Sequence, residues 1–342
     1  MKKIVRRTFT LGIAALLATS VSVTIVDTAQ AADGSYQSID AAHNPAWMAQ
    51  IPDSRLLSEL SIPGTHETMA VHGGDVTQTQ EFFGDSGGTL ARQLEAGIRA
   101  IDIRAKVNAG NTFTIHHGAV YQSANFDDVL TNLRDFLRNH PTETVLMRLK
   151  HECTGETFSC KDDDGQADFL TIFRSYVDKY PDLFWKPSVD ESQTASTPKL
   201  GDVRGKLVLA VLNGVQGECY QHYGLFQTYG IPGSEWKDGS SEYVQDNYTV
   251  GTVFNIPTKR DDVRRFLDKT NAGDNTKMYF NFSSGSGAGA FPNAVAGGAL
   301  GVQGVNPFLL IYMNEGHDLH RTGAIMMDFP GVDLINKIIS YN

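Results

Sequence analysis

Short apolar runs rich in β-branched residues alternate along this chain with segments whose apolar positions recur at helical spacing. The runs predict strands at 60–62, 100–107, 113–116, 144–149, 207–212, 278–282 and 324–329. Between them, Val129, Leu133, Phe136 and Leu137 share one helical face, and Pro141 closes that segment. Phe169, Leu170, Phe173 and Val177 do the same ahead of Pro181, and Val332, Ile335, Ile338 and Ile339 repeat the spacing at the end. Buried strands with helices between them predict an α/β fold: a single distorted (β/α) TIM-type barrel. The last third is rich in Gly and poor in helical pattern, so the barrel is expected to be irregular and helix-poor there. No internal repeat is found. The Ser-, Thr- and Pro-rich stretch 186–199 reads as an excursion within one domain.

The first 31 residues do not fit the pattern. A basic start (Lys2, Lys3, Arg6, Arg7) precedes a mostly apolar run diluted by Ser and Thr, then Ala29-Gln30-Ala31, a small-x-small cleavage site. Residues 1–31 are expected to be a secretory signal peptide, with 32–342 as the barrel domain and a secreted product. Arg6-Arg7-Thr8-Phe9 resembles a twin-arginine signal; an ordinary signal whose basic start holds two arginines is the alternative. No other apolar stretch is long enough to span a bilayer.

Composition narrows the partners. Hydrophobic residues make up 41% of the 342, enough for a sizeable core. Without residues 1–31 the balance is 25 basic to 38 acidic side chains, a net charge of −13. Such a chain is a poor candidate for phosphate-driven nucleic-acid binding, so no nucleic-acid partner is expected. It also lacks a general electrostatic pull toward anionic lipid, so membrane contact would need local apolar residues. Of three cysteines, Cys153 and Cys160 are spaced for a short-loop disulfide in an oxidising compartment, and the odd count leaves a thiol over. No spacing matches a zinc site, and neither a metal nor a cofactor is expected.

The strand ends carry the candidate chemistry. In a barrel of this kind reactive groups sit where strands end. Here those ends read Pro63-Gly64-Thr65-His66-Glu67, Asp102-Ile103-Arg104, His116-His117-Gly118, Lys150-His151-Glu152, Tyr279 with Asn281 and Ser283, and Asp328. Any one of them is compatible with a satisfied structural residue; so many polar groups buried together without a task are costly. Two histidines, an arginine and carboxylates suit phosphodiester cleavage. One imidazole takes a proton from an attacking hydroxyl, the other protonates the leaving oxygen, and the guanidinium neutralises phosphoryl charge.

An ordered set of motifs makes a resemblance specific. Ile62-Pro63-Gly64-Thr65-His66, Gly97-Ile98-Arg99-Ala100-Ile101-Asp102-Ile103-Arg104, Ile115-His116-His117-Gly118, Leu200-Gly201-Asp202-Val203-Arg204-Gly205-Lys206, Val244-Gln245-Asp246 and Tyr279-Phe280-Asn281-Phe282 together resemble the bacterial phosphatidylinositol-specific phospholipase C family across residues 45–342. The resemblance implies a distorted barrel, a phosphatidylinositol substrate at a lipid interface, a monomer, and cleavage through an inositol 1,2-cyclic phosphate. It makes His66 the general base, His117 the general acid, Arg104 the phosphate-stabilising group and Asp328 the partner of His66. Lys150, Glu152, Arg204, Asp246 and Tyr279 become inositol-binding positions, with the Tyr279 ring stacked on the sugar. Relatives that use calcium place a metal ligand where Arg104 falls, which implies metal-independent action here.

Two departures from the family stand out. Glu67 replaces the usual Asp after the first histidine; the resemblance makes this position a catalytic carboxylate that supports the acid histidine, and the extra methylene of Glu67 is expected to displace that carboxylate by about 1 Å. Phe82-Phe83 and Phe291 occupy loops where relatives carry exposed tryptophans that enter the lipid interface. Gly84-Asp85-Ser86-Gly87-Gly88 imitates a serine-protease nucleophile motif, but two β-barrels do not fit between His43 and Ser86. Asp162-Asp163-Asp164-Gly165 imitates a calcium loop, but the twelfth position is Thr171, so a solvated acidic turn is expected. The rival functions are a metal-dependent glycerophosphodiesterase on a similar barrel and a catalytically silent phosphoinositide- or sugar-binding protein.

Overall fold

Alternation along each strand decides which residues face the barrel interior, and in this chain the inward set is even-numbered on the parallel strands except past the irregularity in the strand Leu207–Asn213, where Val211 joins it. The computed structural model describes residues 33–78, 86–154, 160–186, 197–213, 239–240 and 242–342. The expected signal peptide, Phe82-Phe83, Cys219, the Gly84-Asp85 part of the protease-like motif and most of the 186–199 excursion lie outside them. Strands β1 (Ser61–Thr65), β2 (Ala100–Asn108), β5 (Val145–His151), β6 (Leu207–Asn213), β8 (Val244–Asp246), β9 (Phe280–Phe282) and β12 (Gly323–Met327) form a parallel sheet. Its order is β6–β5–β2–β1–β12–β9–β8. Among the described residues β6 and β8 do not pair, so the sheet curls as a barrel without a closed seam. The far half of β2 leaves β1 and pairs antiparallel with β3 (Thr112–His117), which pairs with β4 (Val120–Asn125). β7 (Gly239–Ser240) runs antiparallel to β8, and β10 (Gly298–Ala299) pairs antiparallel with β11 (Val302–Gln303) in a separate small hairpin.

Two hydrophobic layers follow from the alternation. Ile62, Ala100, Leu146, Val208, Phe280, Ala324 and Met326 point inward and pack on Met48, Leu57, Leu60, Leu200 and Val203, which plug the N-terminal end. Ile101, Ile103, Val145, Met147, Leu149, Ile325 and Met327 point outward onto the helices. These are α1 (Ser86–Ala96), α2 (Phe126–Asn139), α3 (Phe169–Lys179), the single turn α4 (Leu200–Val203), α5 (Ile256–Ala272), α6 (Pro292–Gly297), α7 (Val305–Asn314) and α8 (Val332–Ile339). Asn125 caps α2 and Asp168 caps α3 by accepting backbone N–H bonds. Gly64 is required where β1 meets β2: a Cβ there would come 2.8 Å from the Ala100 Cβ and 2.9 Å from its carbonyl oxygen.

One expectation is corrected. The last third is not helix-poor, since α5 to α8 all lie in it. The charges of α5 obscure its pattern, yet Val263, Phe266, Leu267 and Thr270 fall at helical spacing and are buried. The acidic turn behaves as a surface feature serving the β2–β3 hairpin: Asp162 accepts from Val107 N and contacts His151, while Asp163 pairs with Lys106. Among the described residues no helix is long and apolar enough to cross a membrane.

Candidate active site

Continuing each strand's inward face past its C-terminal end turns it from apolar to charged. On β2, Ala100 is followed by Asp102 and Arg104; on β5, Leu146 by Arg148, Lys150 and then Glu152; after β1, β8 and β12 the same face delivers His66, Asp246 and Asp328. These side chains converge above the apolar plug. An irregularity in the β3–β4 pairing between Thr114 and His116 accompanies the delivery of His117 from the side.

His66 is the most constrained member. Its Nδ1 lies 3.1 Å from Asp328 Oδ1 and its Nε2 lies 3.1 Å from Arg104 Nη2. A guanidinium only donates, so Nε2 accepts; Nδ1 then carries the proton and donates it to Asp328. Burial lowers the His66 pKa, but the Asp328 charge and hydrogen bond, with Glu67 behind them, more than reverse this, and the net shift is upward. Burial raises Asp328 to about 6 against the pull of His66.

Arg104 is the hub of the carboxylates. It reaches Asp102 at 3.0 Å, Glu67 at 2.9 Å and Glu152 at 3.3 Å. Burial works against its charge, but those three anions hold it well above the usual arginine range. Asp102 is fully buried and also takes Arg148 at 3.3 Å and the backbone N–H of Glu67 at 3.2 Å. Burial alone would favour its neutral form; Arg104 and Arg148 drive it far the other way.

Glu67 answers the question raised by its extra methylene. Oε1 faces Arg104, and Oε2 lies 3.0 Å from His117 Nε2 as an ion-pair contact, not an aligned hydrogen bond. The backbone at Glu67 is left-handed, φ +40°. Burial opposes the Glu67 charge, yet Arg104 and His117 hold its pKa well below the carboxylate range. The same contact raises His117 against burial. His116 faces away, beside the Tyr121 ring and the bridge joining Cys153 to Cys160, as the expected short-loop pairing has it.

A polar shelf flanks the centre. Lys150 Nζ lies 3.0 Å from Glu152 Oε2, and Glu152 Oε1 accepts from Gly118 N at 2.9 Å. Asp246 is 4% exposed, and its Oδ1 has no hydrogen-bond partner among the described residues. Burial pushes its pKa up. An orphaned buried acceptor in the field of Arg148 and His66 suits a ligand hydroxyl.

Two of the sequence-assigned binding residues are elsewhere. Arg204 precedes β6 and so lies at the N-terminal end of the barrel. There it pairs with Asp53 at 2.6 Å and donates to the carbonyls of Met48, Ile51 and Thr142. Tyr279 precedes β9 and is equally remote, packed against Tyr243 and Phe266 with the Arg321 guanidinium 5.3 Å from its ring centroid. The aromatic ring that does stand in the site is Tyr248, 5.6 Å from the His66 ring. It follows Asp246, the last residue of β8, by two residues. Burial raises its pKa as well. Arg148 was readable from its alternation with Lys150. At the rim, Phe291 is 38% exposed and Phe254 is 70% exposed, on loops joined by the Thr252–Gly289 bridge.

The family model described as phosphatidylinositol-specific phospholipase C, X domain, matches residues 60–212. The 1-phosphatidylinositol phosphodiesterase of Listeria monocytogenes is 32% identical over 306 residues, covering 86% of this chain and 84% of its own length. That of Staphylococcus aureus strain Newman is 26% identical over 325 residues, covering 86% and 93%. The solved structure of the Listeria phosphatidylinositol-specific phospholipase C superposes with a TM-score of 0.65 at 28% identity, covering 88% of this chain and 99% of that one. An S. aureus structure at 22% identity shares the fold, with a TM-score of 0.69 over 89% and 99% of the two chains.

Proposed function

Because the chain belongs to the bacterial phosphatidylinositol-specific phospholipase C family, and is a phosphodiesterase acting on phosphatidylinositol, we propose that it works through His66 and His117 by intramolecular transfer. The inositol 2-hydroxyl attacks phosphorus while His66 Nε2 takes its proton, Asp328 stabilising the imidazolium that forms. The phosphorus–oxygen bond to diacylglycerol breaks, and the proton held between His117 and Glu67 goes to the leaving oxygen. The products are inositol 1,2-cyclic phosphate and diacylglycerol. Arg104 supplies the positive charge opposite the phosphoryl oxygens, held in place by Asp102 from below. Lys150, Glu152 and Asp246 receive the inositol hydroxyls, and Tyr248 covers an apolar face of the ring in place of the Tyr279 expected from the sequence.

The observation that carries this reading is the pairing pattern of His66, with Asp328 on one nitrogen and Arg104 on the other. It prepares a neutral base beside a fixed cation. Catalysis is proposed to need no metal. The enzyme is proposed to act as a secreted monomer, meeting lipid transiently through its rim, where Phe254 and Phe291 are exposed apolar groups among the described residues. Phosphorus NMR of phosphatidylinositol digests in EDTA tests the scheme. A cyclic inositol phosphate resonance is expected; loss of turnover in EDTA with recovery on adding calcium refutes it and favours the metal-dependent phosphodiesterase.

A further inference from the structure

Behind the catalytic histidine loop lies a corner that the reaction does not use. His116, Cys153 and Cys160 each bring one donor atom there, all within 4.8 Å of one another. In the oxidised protein the two sulfurs are bonded to each other. The chain is nevertheless made as a dithiol. We propose that in the dithiol form this corner is a zinc site, with two cysteine thiolates, the His116 imidazole and a solvent molecule in the fourth position.

The geometry favours a tetrahedral ion. Without their bond the two sulfurs relax to about 3.8 Å, which is also the edge of a tetrahedron with zinc–sulfur bonds of about 2.3 Å. The third donor is already near. His116 Nδ1 is buried and has no hydrogen-bond partner among the described residues, a cost that a bond to metal would remove. Two sulfurs and an imidazole form a soft donor set that selects zinc over magnesium or calcium. The corner also matters to its surroundings: Cys160 Sγ lies 2.8 Å from the Gly118 carbonyl oxygen, next to the loop of His117. Zinc held there would close the Cys153–Cys160 loop in the dithiol chain as the disulfide does in the oxidised one, and through His116 would also tie that loop to β3.

The chemistry balances simply. Two thiols release two protons as two sulfur–zinc bonds form, and the bound dithiolate cancels the charge of the ion. Forming the disulfide takes two electrons and two protons from the same sulfurs, so one chain holds either the bridge or the ion, never both. This site is separate from the catalytic centre, and the oxidised enzyme remains independent of added metal.

The test uses the full chain without a histidine tag, carrying Cys219→Ser so that no third thiol competes. A phosphine reduces the bridge, becoming phosphine oxide with oxygen from water as the two thiols form. Cobalt(II) is then titrated in, and zinc is added in competition. The expected result is one equivalent of cobalt with a thiolate-to-cobalt charge-transfer band, displaced by zinc, and a rise in melting temperature of the reduced protein with zinc. The oxidised protein should show neither. His116→Ala, which leaves both sulfurs in place, should weaken binding by at least ~10-fold. No charge-transfer band in the reduced protein, equal binding by the oxidised protein, or undiminished binding by His116→Ala overturns the proposal. So does a reduced chain that loses its near-ultraviolet circular dichroism and does not regain it with zinc.

Discussion

Replacing Glu67 by Gln isolates leaving-group protonation from the other tasks of the site. Its two oxygens face Arg104 at 2.9 Å and His117 at 3.0 Å. An amide keeps the size of the side chain and removes its charge. Arg104 still has Asp102 at 3.0 Å and Glu152 at 3.3 Å, so the phosphate site keeps its cation. His117 loses the charge that raises its pKa against burial, and therefore gives up its proton at lower pH. A general acid contributes ~10²-fold or more, and each tenfold is ~1.4 kcal/mol of barrier, so cleavage of phosphatidylinositol should lose at least ~2.7 kcal/mol of transition-state stabilisation. A nitrophenyl phosphodiester of inositol releases nitrophenolate, a stable anion that needs little protonation; its cleavage should slow less than ~5-fold. The assay is kcat/KM on both substrates at one pH. Glu67→Asp should stay active, because it keeps the charge and because Asp is better tolerated than most residues at the left-handed backbone found there. Equal slowing on both substrates would refute the reasoning and make Glu67 a binding or structural group.

His66→Ala and His117→Ala should each reduce turnover at least ~10²-fold, whereas His116→Ala in the oxidised enzyme should not; a His116 variant more damaging than the His117 variant reverses the assignment of the acid. The acid limb of kcat/KM should lie above the ordinary imidazole range, where His66, raised by Asp328, takes up a proton. Asp328→Asn should move that limb to lower pH, because His66 loses the charge that raises it, and should lower the plateau; an unmoved limb assigns it to another group. Arg204→Ala should leave the Met48, Ile51 and Thr142 carbonyls short of a donor and cost ~1–3 kcal/mol of stability with kcat/KM intact, measured by denaturant unfolding and kinetics together. Tyr248→Ala should raise KM where Tyr279→Phe does not; the opposite order would return the stacking role to Tyr279.

What the sequence disclosed follows from the two-residue period of strands. Asp102 and Arg104, or Lys150 and Glu152, share a face by parity alone, and His66 and Asp328 follow strands whose apolar residues are plain. The misplaced residues share a cause. Arg204 and Tyr279 belong to the right motifs but stand ahead of the first residue of β6 and of β9, and a motif does not say which end of its strand faces the chemistry. Reading the direction of the chain through each apolar run would have put both at the opposite end. Tyr248 was missed because β8 is three residues long and gives little alternation to extend. Helix α5 was missed because its apolar stripe is narrow and its other faces are crowded with charge.

The pairing of β1 with β12 has a temporal consequence. His66 and Asp328 are 262 residues apart, and the strands that carry them are neighbours in the sheet. Contacts of such long range form only after the intervening chain has been synthesised and ordered, which makes them late events in folding. An incomplete chain on the ribosome therefore has its base histidine but not the carboxylate that orients it. On the proposed mechanism, catalytic competence arrives only when β12 has taken its place beside β1.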